Sequence, residues 1–350
     1  MYSIGTPDPN QIALTAFLQV VSINLKRRKI ERYYKGKKMK AALLKGRSLV
    51  NWKNWTPEEI AYLLKLSHSA KKSSRTGKMQ QRFRGKTLAM IFEKRSTRTR
   101  CAFETAFGEE GGHPVFLSTQ DIQLGAKESI EDTARVLGRM FSAIEFRGFK
   151  QSTVETLARE SGVPVYNGLT DDYHPTQALA DIMTLEEVFG KVQGLKLCFV
   201  GDGRNNVARS LLVISSKLGI NCTIITPKSL FTDKNLLDEC ASWARESGAK
   251  IEVTSTLDSV SGADCIYTDV WVSMGEEAQR DERIKLLAPY QVNKALMLKT
   301  GNPDSIFLHC LPAVKGEEVA EEVIESSASH VWEQAENRKH TIKALMLATL

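Results

Sequence analysis

The sequence predicts an α/β fold with two doubly wound parallel-sheet domains that are joined by long helices. Short apolar runs alternate with helical patterns throughout the chain, and this alternation is typical of parallel sheets covered by helices. The 350 residues are enough for two domains of ordinary size. A long helical pattern that begins at Pro175 separates two series of alternating elements, so we place the domain boundary there.

The strands are expected where short apolar runs are bounded by polar or turn-forming residues. These runs are 88–92, 114–117, 143–147, 163–166, 195–200, 222–226, 251–254, 264–268 and 305–309. Helices are expected between most of them. The first helix begins after Thr56, which forms a capping-box pattern with Glu59.

The chain divides into three expected parts and a final helix. Residues 1–38 form a basic N-terminal extension of uncertain role, residues 39–174 form the first domain, and residues 175–335 form the second. Residues 336–350 carry apolar side chains at helical spacing. This last helix is therefore expected to pack back on the first domain.

The first 40 residues account for the net charge of +7. The first 40 residues hold nine Lys and Arg against Asp8 and Glu31, and the rest of the chain is formally neutral. The basic balance is therefore weak support for a nucleic-acid-binding body, and no nucleic-acid partner is expected. A chain that begins at Met39 is expected to fold and to keep its chemistry.

The composition is that of a soluble globular protein. No apolar run approaches the ~20 residues of a membrane-spanning helix, so no membrane partner is expected. The six cysteines are scattered and include no C-x-x-C pair, and those at 198, 222, 265 and 310 lie in or beside strand-like runs. This pattern predicts reduced, mostly buried thiols and a cytoplasmic location.

Four polar clusters follow directly after apolar strands. They are Ser-Thr-Arg-Thr-Arg at 96–100, His-Pro-Thr-Gln at 174–177, Asp-Val-Trp-Val-Ser-Met-Gly at 269–275 and His-Cys-Leu-Pro at 309–312. Ligands of parallel α/β sheets bind beyond the carboxyl ends of the strands. The clusters are therefore expected to converge on one active site, in the cleft between the two domains.

The first cluster has the chemistry of an anion site. Ser96 can cap the helix that follows, and Thr97 and Thr99 lie in its first turn. A helix N-terminus presents unpaired N–H groups and a partial positive charge, to which the forks of Arg98 and Arg100 add. The segment suits a dianion such as phosphate. The alternative is a capped helix with solvated arginines.

Other ligands fit the sequence less well. The turn at 201–206 has two glycines of a dinucleotide fingerprint but no third, and no ribose-binding acid follows the next strand. The six histidines are dispersed and form no zinc motif. His309 and Cys310 are adjacent in an expected strand, so their side chains are expected on opposite faces, which disfavours a thiol nucleophile with a histidine base. No cofactor and no metal are expected.

The four clusters, in this order, resemble the aspartate/ornithine transcarbamylase family. The likeness runs from about residue 44 to residue 350 and includes Glu-Asn-Arg at 336–338. The Ser-Met-Gly loop and the Cys of the fourth cluster point to the branch that carbamoylates ornithine. The resemblance implies transfer of the carbamoyl group of carbamoyl phosphate to the δ-amine of L-ornithine, a step of arginine and citrulline metabolism and of the urea cycle.

The resemblance also implies which residues act. The catalytic residues would be Arg98, Arg147, His174, Asp269 and Cys310. Carbamoyl phosphate would be bound, mainly by the domain at 39–174, through Ser96, Thr97, Arg98, Thr99, Gln123, Arg147, His174, Gln177, Cys310, Leu311 and Arg338. Ornithine would be bound by the domain at 175–335 through Asn206, Asp269, Ser273 and Met274. The charged segment at 275–287 is expected to be a solvated helix, and the loop at its start would close over ornithine.

Gln123 lies where the family reaches into the site of a neighbouring subunit. The resemblance therefore implies a homotrimer or a higher oligomer of trimers. Two alternatives stay open. A transcarbamylase for another amine or amino acid would keep similar clusters, and a non-catalytic relative would use its basic arm to touch RNA or a partner. The intact Arg98, His174, Asp269 and Cys310 favour the enzyme.

Overall fold

The computed structural model describes residues 44–118, 122, 128–272 and 275–350. The predictions made for the N-terminal extension at 1–38 and for Gln123, Ser273 and Met274 lie outside the described residues.

The described residues form two parallel β-sheets connected by helices. The strands of the first sheet are β1 (Thr87–Phe92), β2 (His113–Ser118), β3 (Ala143–Arg147) and β4 (Val165–Leu169). Those of the second sheet are β5 (Lys196–Val200), β6 (Asn221–Ile225), β7 (Ile251–Thr254), β8 (Cys265–Thr268) and β9 (Ile306–His309). The helices are α1 (Pro57–Arg75), α2 (Thr97–Gly108), α3 (Ile130–Met140), α4 (Gln151–Glu160), α5 (Pro175–Phe189), α6 (Asn206–Leu218), α7 (Lys234–Ser247), α8 (Arg280–Leu287), α9 (Lys294–Lys299), α10 (Glu321–Ile324) and α11 (Val331–Thr349).

Each of the nine predicted strands overlaps an observed one. The largest displacement is at β4, predicted at 163–166 and observed at Val165–Leu169. The second half of this strand includes Asn167 and Gly168, which carry no apolar signal. Asn167 is nevertheless fully buried, and its amide donates to the Val50 carbonyl at 2.9 Å. A buried polar residue with a partner is invisible to a search for apolar runs.

Both sheets are doubly wound, as predicted. The strand order is β2-β1-β3-β4 in the first and β7-β6-β5-β8-β9 in the second, with every pair parallel. The direction in which strands are added reverses between β1 and β3, and again between β5 and β8. Ligands of such sheets bind at these reversal points, beyond the carboxyl ends of the strands.

The central strands are apolar on both faces because helices cover both faces. In β1, Leu88 and Met90 belong to one buried cluster, whereas Ala89 and Ile91 pack with Val154 and other side chains of a second cluster. The same alternation occurs in β5. This two-sided burial explains why the strands are continuous apolar runs in the sequence.

Two long helices connect the sheets. Helix α5 begins with Pro175 and is buried along most of its length. Helix α11 begins at Val331, five residues before the expected start at 336, and packs against α1, α2 and α5. The division of the chain at 174/175 into two domains stays a prediction.

None of the helices in the described part of the chain has both the length and the apolar character needed to cross a bilayer.

Candidate active site

A pocket of about 530 Å³ lies where the reversal points of the two sheets face each other. The loop after β1, the end of β3 and the start of α5 line it from one side, and the turns after β5, β8 and β9 from the other. Its wall includes these predicted site residues: Ser96, Thr97, Arg98, Thr99, Arg147, His174, Asn206, Asp269, Cys310, Leu311 and Arg338. The structure therefore brings all four clusters to one place. The role of each residue stays a prediction.

The N-terminus of α2 points its positive end into this pocket region. Ser96 caps the helix in an extended conformation, and its hydroxyl accepts from the Thr99 N–H at 3.2 Å. The first turn contains no acidic residue. The partial charge of the helix end is therefore not offset locally, and the arginine at position 98 adds a full charge.

Thr99 joins two guanidinium groups from distant parts of the chain. Its hydroxyl oxygen lies 3.2 Å from Arg147 Nη1 and 3.1 Å from Arg338 Nη2 and accepts from both. Burial lowers the pKa of each arginine to about 10, and charge repulsion by Arg338 adds to the shift of Arg147. Both groups remain positively charged at neutral pH, so the pocket holds a cationic wall.

His174 is a neutral imidazole beside this wall. Burial lowers its pKa well below the ordinary value, and the positive charges of Arg338, Arg147 and Arg98 lower it further. Its Nε2 lies 3.5 Å from Nη1 of Arg338. Nδ1 is buried and has no hydrogen-bond partner among the described residues.

Gln177 lies behind the pocket wall. Its Oε1 accepts from Arg338 Nη1 at 2.7 Å, and its Nε2 donates to Asp181 at 2.8 Å. The sequence predicted Gln177 as a ligand of the carbamoyl amide. In the structure its amide is occupied by these two partners, and it reaches the pocket through Arg338.

Asp269 gathers three donors on the opposite wall. Its Oδ1 accepts from the Cys310 thiol at 2.9 Å and from the Val270 N–H at 2.8 Å, and its Oδ2 accepts from Asn205 Nδ2 at 2.9 Å. Burial raises the pKa of Cys310 well above its ordinary value, and the Asp269 carboxylate raises it further. The thiol is therefore neutral at physiological pH and acts as a hydrogen-bond donor rather than as a nucleophile.

The predicted separation of His309 and Cys310 is wrong. Strand β9 ends at His309, and Cys310 lies in the turn that follows. The distances are short: within 4.8 Å of one another lie a ring nitrogen of His309, the sulfur of Cys310 and an oxygen of Asp269. The alternation of side chains holds only inside a strand.

The hydrogen bonds of His309 nevertheless occupy its ring. Its Nδ1 accepts from the Leu311 N–H at 2.8 Å, and its Nε2 lies 3.2 Å from a carboxylate oxygen of Glu318. The acceptor role of Nδ1 assigns the proton to Nε2, which donates to Glu318. The imidazole therefore has no free lone pair with which to deprotonate Cys310 or to bind a metal ion.

Asn205 is a further residue of the site, although the sequence had pointed to its neighbour Asn206. Asn205 caps α6 and also donates to Asp269, whereas the Asn206 amide donates to the Thr170 carbonyl at 2.6 Å. Both residues line the pocket. In the sequence, the N-cap position of Asn205 at the end of a glycine-rich turn could have identified it as a site residue.

The charged segment at 275–287 is not uniformly solvated. Arg283 in α8 is buried and donates to the Trp271 carbonyl and to Asp202, each at 2.6 Å. Its other nitrogen lies 3.5 Å from Glu276. Arg283 thus ties the segment to the turns after β5 and β8. The acidic residues that surround it in the sequence gave no sign that this arginine is buried.

Both halves of the chain match models of one known protein family. Residues 47–187 match the family model of the aspartate/ornithine carbamoyltransferase carbamoyl-P binding domain, and residues 193–349 match that of the Asp/Orn binding domain. The chain belongs to the aspartate/ornithine carbamoyltransferase family. The predicted family and the predicted carbamoyltransferase class are therefore confirmed.

Members of this carbamoyltransferase family resemble the chain over nearly their whole length. An ornithine carbamoyltransferase from Caldanaerobacter subterraneus is 65% identical over 308 residues, which cover 88% of this chain and 98% of the relative. A catabolic ornithine carbamoyltransferase from Bacillus licheniformis is 54% identical, with 88% of this chain and 97% of the relative covered. The structure of the ornithine carbamoyltransferase from Pyrococcus furiosus matches with a TM-score of 0.85 and 46% identity, covering 87% of this chain and 97% of that one.

Proposed function

We propose that this carbamoyltransferase transfers the carbamoyl group of carbamoyl phosphate to the δ-amine of L-ornithine, giving L-citrulline and phosphate. Relatives at 52–65% identity over most of the chain carry the name ornithine carbamoyltransferase. One observation carries the proposal. A cationic wall suited to a phosphate and a carbonyl lies across a single pocket from the Asp269–Cys310 pair, which is suited to an amino acid.

Carbamoyl phosphate would lie against the cationic wall. Ser96, Thr97, Arg98, Thr99 and Arg147 would hold its phosphate at the N-terminus of α2, where N–H groups and guanidinium forks favour a dianion. The match of residues 47–187 to the carbamoyl-P binding domain supports this placement of carbamoyl phosphate.

The carbonyl oxygen of carbamoyl phosphate would face Thr99, Arg147 and His174. The contacts of Thr99 with two guanidinium groups already orient this part of the pocket, and the imidazole of His174 is already neutral. Donors placed before the reaction stabilise negative charge as it develops on an attacked carbonyl. The backbone at Cys310–Leu311 and Arg338 would hold the carbamoyl amide, and Gln177 would act through its bond to Arg338.

Ornithine would bind across the pocket. Asn206 and the backbone at Met274 would take its α-carboxylate, and Asp269 with Ser273 would take its α-ammonium. The δ-amine would then lie near Cys310. In this arrangement the neutral thiol positions the δ-amine and the Asp269 carboxylate positions the α-ammonium, and neither group forms a covalent bond with ornithine.

The chemical step needs a free amine. An alkylammonium ordinarily has a pKa of about 10.4, and each tenfold gain in its acidity corresponds to about 1.36 kcal/mol. The guanidinium groups of the opposite wall favour the neutral amine. The nitrogen lone pair then forms the C–N bond, the bond between the carbonyl carbon and the phosphate oxygen breaks, and the departing phosphate takes the surplus amine proton.

A substrate comparison tests the proposal. Steady-state citrulline formation from ornithine and carbamoyl phosphate is expected to exceed carbamoylation of putrescine, aspartate and N-acetylornithine. A phosphonoacetyl analogue of ornithine is expected to inhibit competitively with carbamoyl phosphate. Faster carbamoylation of another amine would reassign the substrate, and binding without turnover would favour a non-catalytic relative.

We further propose that the enzyme is a cytoplasmic homotrimer, or a larger oligomer of trimers, in which Gln123 of one subunit completes the site of the next. Subunit mixing tests this. An Arg98→Ala enzyme and a Gln123→Ala enzyme are each expected to be weak. After joint denaturation and renaturation they are expected to regain activity, because some sites then combine two intact halves. No gain after mixing would contradict shared sites.

A further inference from the structure

A continuous set of buried hydrogen bonds joins the two walls of the pocket through its interior. From the cationic wall, Arg338 donates to Gln177 and Gln177 donates to Asp181. From the opposite wall, the His309 N–H, next to Cys310, donates to Oε1 of Gln334 at 3.0 Å. Gln334 in turn donates to Asp181 at 2.7 Å. The two paths meet on one atom, Oδ1 of Asp181.

Asp181 holds both amides by their donor ends. Its Oδ1 accepts from both Nε2 groups, and a glutamine amide has its donor and its acceptor at opposite ends. Because both donor ends face Asp181, the two carbonyl ends must face outward. One meets the guanidinium of Arg338 and the other meets the N–H of His309.

The carboxyl group of Asp181 is buried and only partly hydrogen-bonded. Asp181 is fully inaccessible, and its second oxygen, Oδ2, has no partner among the described residues. Burial raises the pKa of Asp181 to about 7, while hydrogen bonds from Gln334, Gln177 and Tyr267 and the charge of Arg338 oppose the shift. A buried carboxyl group with one unsatisfied oxygen destabilises a fold unless another role retains it.

We propose that Asp181 is a positioning residue that sets both walls of the active site at once, by orienting Gln177 against Arg338 and Gln334 against the His309–Cys310 turn. The inference rests on the carbamoyl transfer proposed above. Asp181 touches no substrate in this arrangement. It acts through two amides, one on the carbamoyl phosphate side and one on the amine side.

Asp181→Asn is the primary test. The variant keeps the shape but presents one oxygen and one NH2 group, so it cannot keep both amides oriented without leaving its own donor unpaired. The expected result has two parts. The KM for carbamoyl phosphate rises about ten- to hundredfold, the range for losing a hydrogen bond to a charged group. Cys310 also reacts faster with iodoacetamide, because its turn is less firmly held.

The thiol measurement uses a Cys101→Ser background. Cys101 is exposed, whereas Cys198, Cys222, Cys240 and Cys265 are buried. Alkylation, followed by mass spectrometry, and binding of inorganic phosphate need no turnover. They test Asp181 even if the protein forms no citrulline, so failure of this inference and failure of the proposed function give different results.

Thr184→Val is the matched control. Thr184 lies one turn after Asp181 in α5, is equally buried, and accepts from Asn337 of α11 at 3.0 Å. It thus joins the same two helices but does not reach the pocket wall. The control is expected to lower the melting temperature without moving the KM or the alkylation rate.

Three results would overturn the inference. The first is that Asp181→Asn behaves as Thr184→Val does. The second is that only the KM or only the alkylation rate of Cys310 changes. The third is that an Asp181→Asn/Gln334→Leu double variant is alkylated faster than Asp181→Asn, which would show that the two residues act independently. If Asp181→Asn does not fold, Gln177→Leu is expected to raise the KM and Gln334→Leu to speed alkylation. Absence of either shift then contradicts the inference.

Discussion

At the scale of single residues, burial sets the charge states that the proposed chemistry needs. The arginines of the cationic wall stay charged, whereas His174 and Cys310 stay neutral. A neutral imidazole and a neutral thiol both donate hydrogen bonds without attacking the substrate or competing for its phosphate. The Asp269 carboxylate contributes to this state by holding the Cys310 thiol at 2.9 Å.

Asp269→Asn is expected to make Cys310 more reactive. Removing the negative charge takes away one of the causes that raise the pKa of the thiol. In the Cys101→Ser background, the midpoint of the pH profile of alkylation is expected to move to lower pH, although burial keeps it above the ordinary value. An unchanged midpoint would show that Asp269 has little electrostatic effect on the thiol.

Glu145→Gln is expected to change how stability depends on pH. Glu145 is fully buried, neither of its carboxyl oxygens has a partner among the described residues, and burial raises its pKa well above the ordinary value despite the charges of Arg147 and Arg338. Above about pH 4.3 the unfolded chain loses this proton while the folded protein keeps it. The free energy of unfolding therefore falls as pH rises towards the folded pKa.

The glutamine variant lacks this loss, so its stability relative to the parent is expected to increase from pH 5 to pH 8. Urea unfolding at several pH values measures the difference. A difference that stays constant across this range would mean that Glu145 ionises alike in both states.

At the scale of elements, the site depends on where helices begin. The N-termini of α2, α5 and α6 all lie at the pocket, and their caps are Ser96, His174 and Asn205. Each is a pocket residue as well as a cap, which explains why polar clusters directly after strands were visible in the sequence. Helix α11 adds Arg338 from the far end of the chain.

Ser96→Ala is expected to weaken both the helix and the ligand site. Loss of a cap costs about 1 kcal/mol of unfolding free energy. The KM for carbamoyl phosphate should rise as well, because the first turn of α2 would no longer be held for the phosphate. Thr56→Ala is the matched control, since Thr56 caps α1 through a bond of the same 3.2 Å length.

Thr56 does not line the pocket. The control should therefore lose similar stability with an unchanged KM. Equal KM values in the two variants would mean that Ser96 serves the helix alone.

At the scale of the whole molecule, the pocket needs both sheets and the last helix. Its lining residues lie between positions 94 and 338. The family-model matches begin only at residue 47. The N-terminal 38 residues therefore have no assigned part in the site, although they carry nearly all of the excess positive charge.

A chain that begins at Met39 is expected to keep kcat and KM within about twofold of the full-length protein, a difference too small to indicate a lost contact. Steady-state citrulline assays on both forms measure this. Any salt-dependent RNA binding of the full-length protein should disappear in the shorter chain. Loss of activity or solubility in the shorter form would show that the extension supports the body.

The predicted strands and clusters succeeded where local chemistry decides. A strand covered on both faces must be apolar throughout, so β1, β5 and β8 could be found by inspection. The polar clusters after them had to lie at the carboxyl ends of parallel strands, so their convergence followed from topology. The prediction failed at His309 and Cys310, where the end of a strand decides side-chain direction and no local pattern marks that end.

By itself, the sequence determined the elements, their parallel arrangement, the family and most of the pocket wall, because these depend on periodicity and on motifs within short segments. Only the tertiary structure decided that Thr99 holds Arg338, 239 positions away, that Arg283 is buried among charged neighbours, and that Asp181 joins two amides. Such contacts depend on how helices dock against one another. A hydrogen bond between distant residues leaves no periodic trace in either segment, since its geometry exists only after both sheets have been brought together.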